Sequence, residues 1–154
     1  MIYDLNILKE VNNLDNKFDV CIIGAGAAGI TIANKLKKAG LKIALCEAGS
    51  YEYTEESQDF YKGKLVGDHY FDLDIARLRY LGGSTNHWGG WCRSFEPVDF
   101  DRGYLGEEYK WPITYKELFK FRNTACNILE IDDDFDFKSS EDKKVKKIKF
   151  QFSP

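Results

Sequence analysis

Between an apolar, β-branched run (Phe18 to Ile23) and a stretch of helical periodicity (Ala27 to Ala39), the chain carries Gly24-Ala25-Gly26-Ala27-Ala28-Gly29. Few folds accept that order. A G-x-G-x-x-G sequence alone is a weak pattern, but between a strand and a helix it is a specific one. Gly24 permits a tight turn, Gly26 lets the backbone approach a pyrophosphate with no Cβ in the way, and Gly29 lets the helix lie close to the strand. The helix start at Ala27 and Ala28 offers free N–H groups and partial positive charge to phosphates. Apolar residues recur at helical spacing at Ala28, Ile32, Ala33, Leu36 and Ala39, and Gly40 stands where a glycine ends a helix. Lys42 to Glu47 then reads as a second strand, so residues 18–47 predict a βαβ unit with parallel pairing. Glu47 follows the last glycine by eighteen residues, placed to accept hydrogen bonds from ribose hydroxyls. Its negative charge disfavours a 2′-phosphate, which leaves FAD or NAD and makes NADP a poor candidate.

The remainder narrows the function by exclusion. A net charge of −3 with 31% charged residues of both signs gives no basic footprint for nucleic acid or an anionic membrane. No apolar stretch approaches a membrane span, and the acidic, amide-rich N-terminus is unlike a signal peptide, so a cytoplasmic location is expected. Cys21, Cys46, Cys92 and Cys126 show no CxxC spacing, so neither a metal centre nor a disulfide framework is expected. Cys21 and Cys46 fall inside the two strands as small hydrophobes. Residues 50–76 have no clear period and read as a long excursion or small subdomain. Thr114 and Glu117 form a T-x-x-E capping box, and apolar spacing predicts one helix from about Tyr115 to Leu129. The acidic run Asp132 to Asp134 and the lysine-rich run from Lys143 to Lys149 read as solvated charge, and His69 as an ordinary loop histidine. Ile148, Phe150 and Phe152 alternate with polar residues, the period of a half-buried strand.

A second glycine-rich segment runs from Arg77 to Trp91 and places Gly82, Gly83, Gly89, Gly90, Trp88 and Trp91 around His87. Such a loop suits a flat cofactor, because glycines bring backbone N–H groups close to a ring system and aromatic residues exclude water. The same residues also suit two turns with core tryptophans, and the residue types alone favour neither. Together with FDVCIIGAGAAG, the segments Glu47-Ala48-Gly49 and Arg79-x-x-Gly82-Gly83-Ser84-Thr85 make the chain resemble the glucose-methanol-choline oxidoreductases. The resemblance extends more weakly to Trp111-Pro112-Ile113-Thr114-Tyr115-x-Glu117-Leu118, covering most of residues 18–129.

That resemblance implies an α/β fold with a Rossmann-like FAD-binding domain, present here as the N-terminal part of an incomplete doubly wound parallel sheet. Residues 1–17 are a lead-in and 18–154 the partial domain, with the C-terminal part of the enzyme missing. It implies FAD, with the ADP half on the first glycine loop and the isoalloxazine near the second, and oxidation of a small alcohol or sugar by hydride transfer to the flavin. The cofactor-binding set is then Gly24, Gly26, Ala27, Ala28, Gly29, Glu47, Ala48, Arg79, Gly82, Gly83, Ser84, Thr85, His87 and Trp88. The main branch has an aliphatic residue and then Asn or His where this chain has His87-Trp88. The segment looks more like the pyranose-oxidase and choline-oxidase branches, whose histidine at the position of His87 is bonded to the flavin 8α-methyl group. The family's catalytic base comes from the far C-terminal part of a longer chain, and no residue here matches it. Two alternatives stand beside this reading: a non-catalytic FAD-binding fragment, and an NAD-dependent Rossmann module using the first loop alone.

Overall fold

The computed structural model describes residues 2–5, 7, 17–135 and 148–154. The chain divides into two compact units, one ending at Trp88 and the other beginning at Gly89.

The first unit is built on strand β1 (Val20–Ile23), helix α1 (Ala27–Lys38) and strand β2 (Ile43–Cys46). The strands pair in parallel with Val20 opposite Ile43 and Ile23 opposite Cys46, as the crossover requires. Each element is slightly shorter than its periodicity predicts, the usual loss at element ends. At the end of α1, Gly40 adopts φ 84° and donates to Lys37 O, while Leu41 N donates to Leu36 O. These two bonds satisfy the last helical carbonyls, and the positive φ is why a glycine stands there.

Gly29 sets the depth of helix packing. A Cβ on it would lie 1.9 Å from Gly24 O and 3.4 Å from the Ile22 side chain, so α1 rests directly on the turn leaving β1. The helix covers one face of the strand pair only. On the other face Cys21 is exposed and Ile23 is 89% exposed, although both lie in an apolar run. Two strands and one helix supply a single covering layer, whereas a buried parallel sheet has helices on both faces. Cys21 Sγ and Cys46 Sγ lie 3.9 Å apart on this pair.

Residues 50–76 are an excursion of short helical turns: α2 (Glu55–Gln58), a 3₁₀ turn at Asp59–Tyr61, and α3 (Leu73–Ala76). His69 lies in an exposed connecting segment. A further 3₁₀ turn, Gly83–Asn86, follows the Gly82-Gly83 pair.

In the second unit, β3 (Trp91–Cys92) pairs antiparallel with β4 (Gln151–Phe152), and Trp91 packs edge-on against Phe150 and Phe152. The expected alternation at the C-terminus has the opposite sense of burial: Ile148, Phe150 and Phe152 are 45%, 44% and 60% exposed, while Gln151 is half-buried. Hydrogen bonding explains this, because the Gln151 amide accepts from Asp132 N and donates to Asp132 O and Asp134 O. Lys149 pairs with Asp134 at 2.7 Å, and the part of the lysine-rich run from 143 to 147 lies outside the described residues. The predicted helix 115–129 is two helices, α4 (Tyr115–Phe119) and α5 (Arg122–Leu129). At the break Phe121 N bonds Leu118 O, three residues back, so the turn tightens while the apolar spacing continues across it. The Thr114 capping box forms as expected, with Glu117 N donating to Thr114 Oγ1, while Thr114 N and Thr114 Oγ1 both donate to Glu117 Oε2 and so hold the Glu117 carboxyl below its ordinary range. Phe95, Phe100, Trp111, Tyr115 and Phe119 form the aromatic centre of this unit, with Cys92 and Cys126 buried. No described helix is long and apolar enough to cross a membrane.

Candidate functional site: two glycine loops at the ends of β1 and β2

The first glycine loop leaves β1 through Gly24, whose φ of 98° is a left-handed conformation that favours glycine, and whose N–H donates to Cys46 O at 2.7 Å. Gly26 is the residue before α1, at φ −81°, ψ −175°, and gives the helix no side-chain cap. The first turn of α1 also holds no acidic residue. By contrast, Thr54 and Thr114 cap α2 and α4 through their hydroxyls. A twelve-residue helix thus begins with its first-turn amides directed out of the loop and with no side chain bonded to them, the arrangement that receives an anion. A Cβ built on Gly26 meets no protein atom within 4 Å. The fold itself does not require a glycine there, whereas a ligand lying on the loop would.

Glu47 directly follows β2 and turns its carboxylate back into the first loop. Oε2 accepts from Ala25 N at 2.8 Å, and Oε1 accepts from Ala48 N at 2.8 Å and Gly49 N at 3.0 Å. A carboxylate has about four acceptor positions. One, on Oε2, ties the end of β2 to the turn after β1, two on Oε1 hold the amides of the next two residues, and the fourth, on Oε2, takes no protein donor among the described residues. Glu47 therefore serves the loop's own shape, a use the spacing argument did not foresee.

The second glycine loop lies against the first. Gly82 N donates to Ala25 O at 2.8 Å, Gly26 and Gly82 form a parallel bridge, and a Cβ on Gly83 would lie 3.5 Å from Gly26 Cα. Leu81 N donates to Ser50 O at 3.0 Å, and a Cβ on Gly49 would fall 2.0 Å from Arg79 O. Gly82 and Gly83 take φ of 90° and 58°, two successive left-handed residues that turn the chain into the Gly83–Asn86 helical turn. That turn is closed from inside: Thr85 Oγ1 donates to Gly82 O at 2.6 Å, Asn86 Nδ2 to Leu81 O at 2.8 Å, and Ser84 Oγ accepts from Leu78 N at 3.1 Å.

Sequence spacing singled out Gly24, Gly26, Gly29 and Glu47 and the helix start at Ala27 and Ala28, the family resemblance added Ala48, Gly82, Gly83, Ser84 and Thr85, and the fold brings these to one end of β1 and β2. Arg79 is placed differently. Its guanidinium bonds Ser57 Oγ at 3.0 Å and lies 4.4 Å from the Phe60 ring centroid, so it anchors the loop from behind. His87 and Trp88 are exposed at the end of the first unit. Trp91, grouped with the loop in the sequence, belongs to the second unit, where its ring is engaged by Phe150 and Phe152. Ser57 and Gln58 were missed by sequence reasoning. They carry no motif, and only their burial shows their part.

A βαβ unit with an uncapped helix start, an acid at the end of the second strand and a second glycine loop resting on the first defines a Rossmann-like nucleotide-binding half-site. The sequence profile of the FAD dependent oxidoreductase family, DAO, matches residues 19–109, and the chain belongs to that family. Its cofactor is FAD. The chain is 29% identical over 124 residues to 6'''-hydroxyparomomycin C oxidase of Streptomyces lividus, a match covering 73% of this chain and 23% of that protein. It is 28% identical over 121 residues to 2-methyl-1,2-propanediol dehydrogenase of Mycolicibacterium austroafricanum, covering 65% and 22% respectively. Paromamine 6'-oxidase of Streptomyces fradiae is 29% identical over 116 residues, covering 68% and 21%. The chain thus spans less than a quarter of the length of these curated relatives. No solved structure matches.

Proposed function

We propose that the chain is the N-terminal FAD-binding portion of a glucose-methanol-choline type oxidoreductase that oxidises the CH–OH group of a small alcohol or sugar, with the doubly wound sheet and the catalytic base supplied by a missing C-terminal part. The observation that carries this reading is the meeting of the two glycine loops at Gly26, Gly82 and Gly83, which gives both glycine motifs one shared purpose. An NAD module using the first loop alone leaves the second without one. The relatives named for a propanediol and for paromamine support a hydroxyl-bearing small molecule as substrate.

In this reading the first-turn amides of α1 hold the pyrophosphate, and Gly26 keeps the approach clear. Glu47 Oε2 accepts from a ribose hydroxyl while its other acceptor positions hold the loop. The backbone of Gly82 to Thr85 borders the flavin ring, and His87 is the candidate for attachment to the flavin 8α-methyl group. When bound, FAD supplies the hydride acceptor, which no side chain of this chain can replace.

Gly26→Ala separates the ligand role of that glycine from any role in folding. Because its Cβ meets nothing and its φ suits any residue, the variant is expected to melt as the wild type does. FAD affinity, read by flavin fluorescence, falls by about two orders of magnitude, since the added methyl group displaces a charged ligand from helix N–H donors worth about 1.5–3 kcal/mol each. Unchanged FAD affinity in Gly26→Ala would remove the pyrophosphate from this loop.

The flavin bond is tested by acid-denaturing the protein, alone and joined to the downstream coding sequence. Yellow colour that stays with the protein and is lost in His87→Ala establishes the bond; colour released to the supernatant keeps FAD and discards it. No flavin in either form would sink the proposed function.

A further inference from the structure

Two polar side chains of the first unit are buried, Ser57 at 9% and Gln58 at 4% exposed, and both point at the backbone that leads into the second glycine loop. Gln58 uses its full amide: Nε2 donates to Asp74 O at 2.6 Å and Arg77 O at 2.5 Å, and Oε1 accepts from Arg79 N at 3.2 Å. Ser57 Oγ donates to Arg79 O at 2.9 Å and accepts from Arg79 Nη1 at 3.0 Å. Arg79 is therefore held at its N–H, its carbonyl and its guanidinium by two adjacent residues of α2. The carbonyl so held is the one pressed against Gly49, and two and three residues later the chain makes the Leu81 bond to Ser50 O and the Gly82 bond to Ala25 O, the second of which joins the loops. None of the three Gln58 hydrogen bonds reaches β1, α1 or β2.

We propose that Gln58, assisted by Ser57, is a positioning residue for the flavin: it sets the path of residues 77–82 so that Gly82 and Gly83 rest on Gly26 in the ligand-free protein. The cofactor then meets a loop already in place and does not have to order it, which raises affinity by the ordering cost avoided. The inference rests on the FAD reading above for its functional half and on hydrogen bonding alone for its structural half. It also gives the excursion at residues 50–76 a purpose, since α2 and α3 are the two elements the Gln58 amide joins to the loop.

The test uses the 154-residue chain, Gln58→Met, which keeps the length of the side chain and removes its polar atoms, and Gln58→Glu, which keeps the acceptor for Arg79 N but sets a carboxylate against two carbonyls. Amide exchange at Arg79, Leu81 and Gly82 is followed beside that of Ile30 in α1, and FAD is titrated in parallel. In Gln58→Met, exchange at the three loop amides is expected to quicken and FAD affinity to fall, each by about 10- to 100-fold, with Ile30 unchanged. Gln58→Glu is loosened in the same way at neutral pH and recovers protection as the pH falls, because protonation restores one donor, while Gln58→Met shows no such response. Unchanged loop exchange in Gln58→Met overturns the clamp, and faster exchange at Ile30 as well overturns the positioning role in favour of general folding. Looser loop amides with unaltered FAD affinity overturn the link to the flavin. If neither the wild-type chain nor the chain joined to the downstream coding sequence binds FAD, the FAD reading fails and the functional half falls with it, while the exchange data decide the clamp separately.

Discussion

Gly29→Ala is expected to abolish the cooperative thermal transition of the first unit and, with it, FAD binding. Two effects oppose each other at this position. Alanine in a helix interior is favoured over glycine by about 1 kcal/mol, so on propensity alone the substitution would stabilise α1. Its methyl group, however, would stand 1.9 Å from Gly24 O, a backbone atom fixed on the other side by the Gly24 N–H bond to Cys46 O. Neither partner is a side chain that can rotate away, so α1 must lift off the strand pair. Overpacking costs about 1–3 kcal/mol even where side chains can yield, and here it falls on the helix that covers one face of the strand pair. Circular dichroism melting of Gly29→Ala beside Gly26→Ala checks this: two glycines three residues apart in one motif are predicted to fail in opposite ways, one in folding and one in ligand binding. A Gly29→Ala variant with an unchanged midpoint would show that the helix does not pack as described.

The second large effect is expected at Gly49→Ala. Here the added Cβ would meet Arg79 O at 2.0 Å and Arg79 C and Tyr80 Cα at 2.7 Å, all backbone. The segment it displaces carries the Leu81 bond to Ser50 and the Gly82 bond to Ala25, so the second glycine loop must leave the first. Because β1, α1 and β2 hold one another without this contact, Gly49→Ala is predicted to keep their helical signal while FAD affinity drops by about 100-fold or more, the loss of two backbone hydrogen bonds plus the cost of reordering the loop. Flavin titration with circular dichroism reads both quantities. Retained affinity would show that the contact between the loops is not needed for the cofactor.

The two glycines differ in how visible they were beforehand. Gly29 stands at the third position of a motif whose mechanics are local, a strand, a turn and a helix contiguous in sequence, so close packing could be assigned to it from spacing alone. Gly49 meets Arg79 across thirty residues, and nothing in Glu47-Ala48-Gly49 announces that partner. Glu47 falls between these cases: its place at the end of β2 was legible, but not the three backbone amides its carboxylate holds. The helix predicted over 115–129 illustrates the reverse, since apolar spacing persists through a tightened turn and a periodic pattern does not register the break at Phe121.

Short-range chemistry therefore determined the βαβ unit, the glycine turn at its centre, the acid that closes it and the Thr114 cap, because each depends on backbone geometry or hydrogen bonds within one turn or one crossover. Only the tertiary structure decided that the two glycine loops touch, that Arg79 serves as an anchor, that Trp91 packs in the other unit, and that Ser57 and Gln58 grip the loop. Those outcomes rest on contacts between residues far apart in the chain, where a buried amide or a missing Cβ acquires its meaning from a partner that no local pattern specifies.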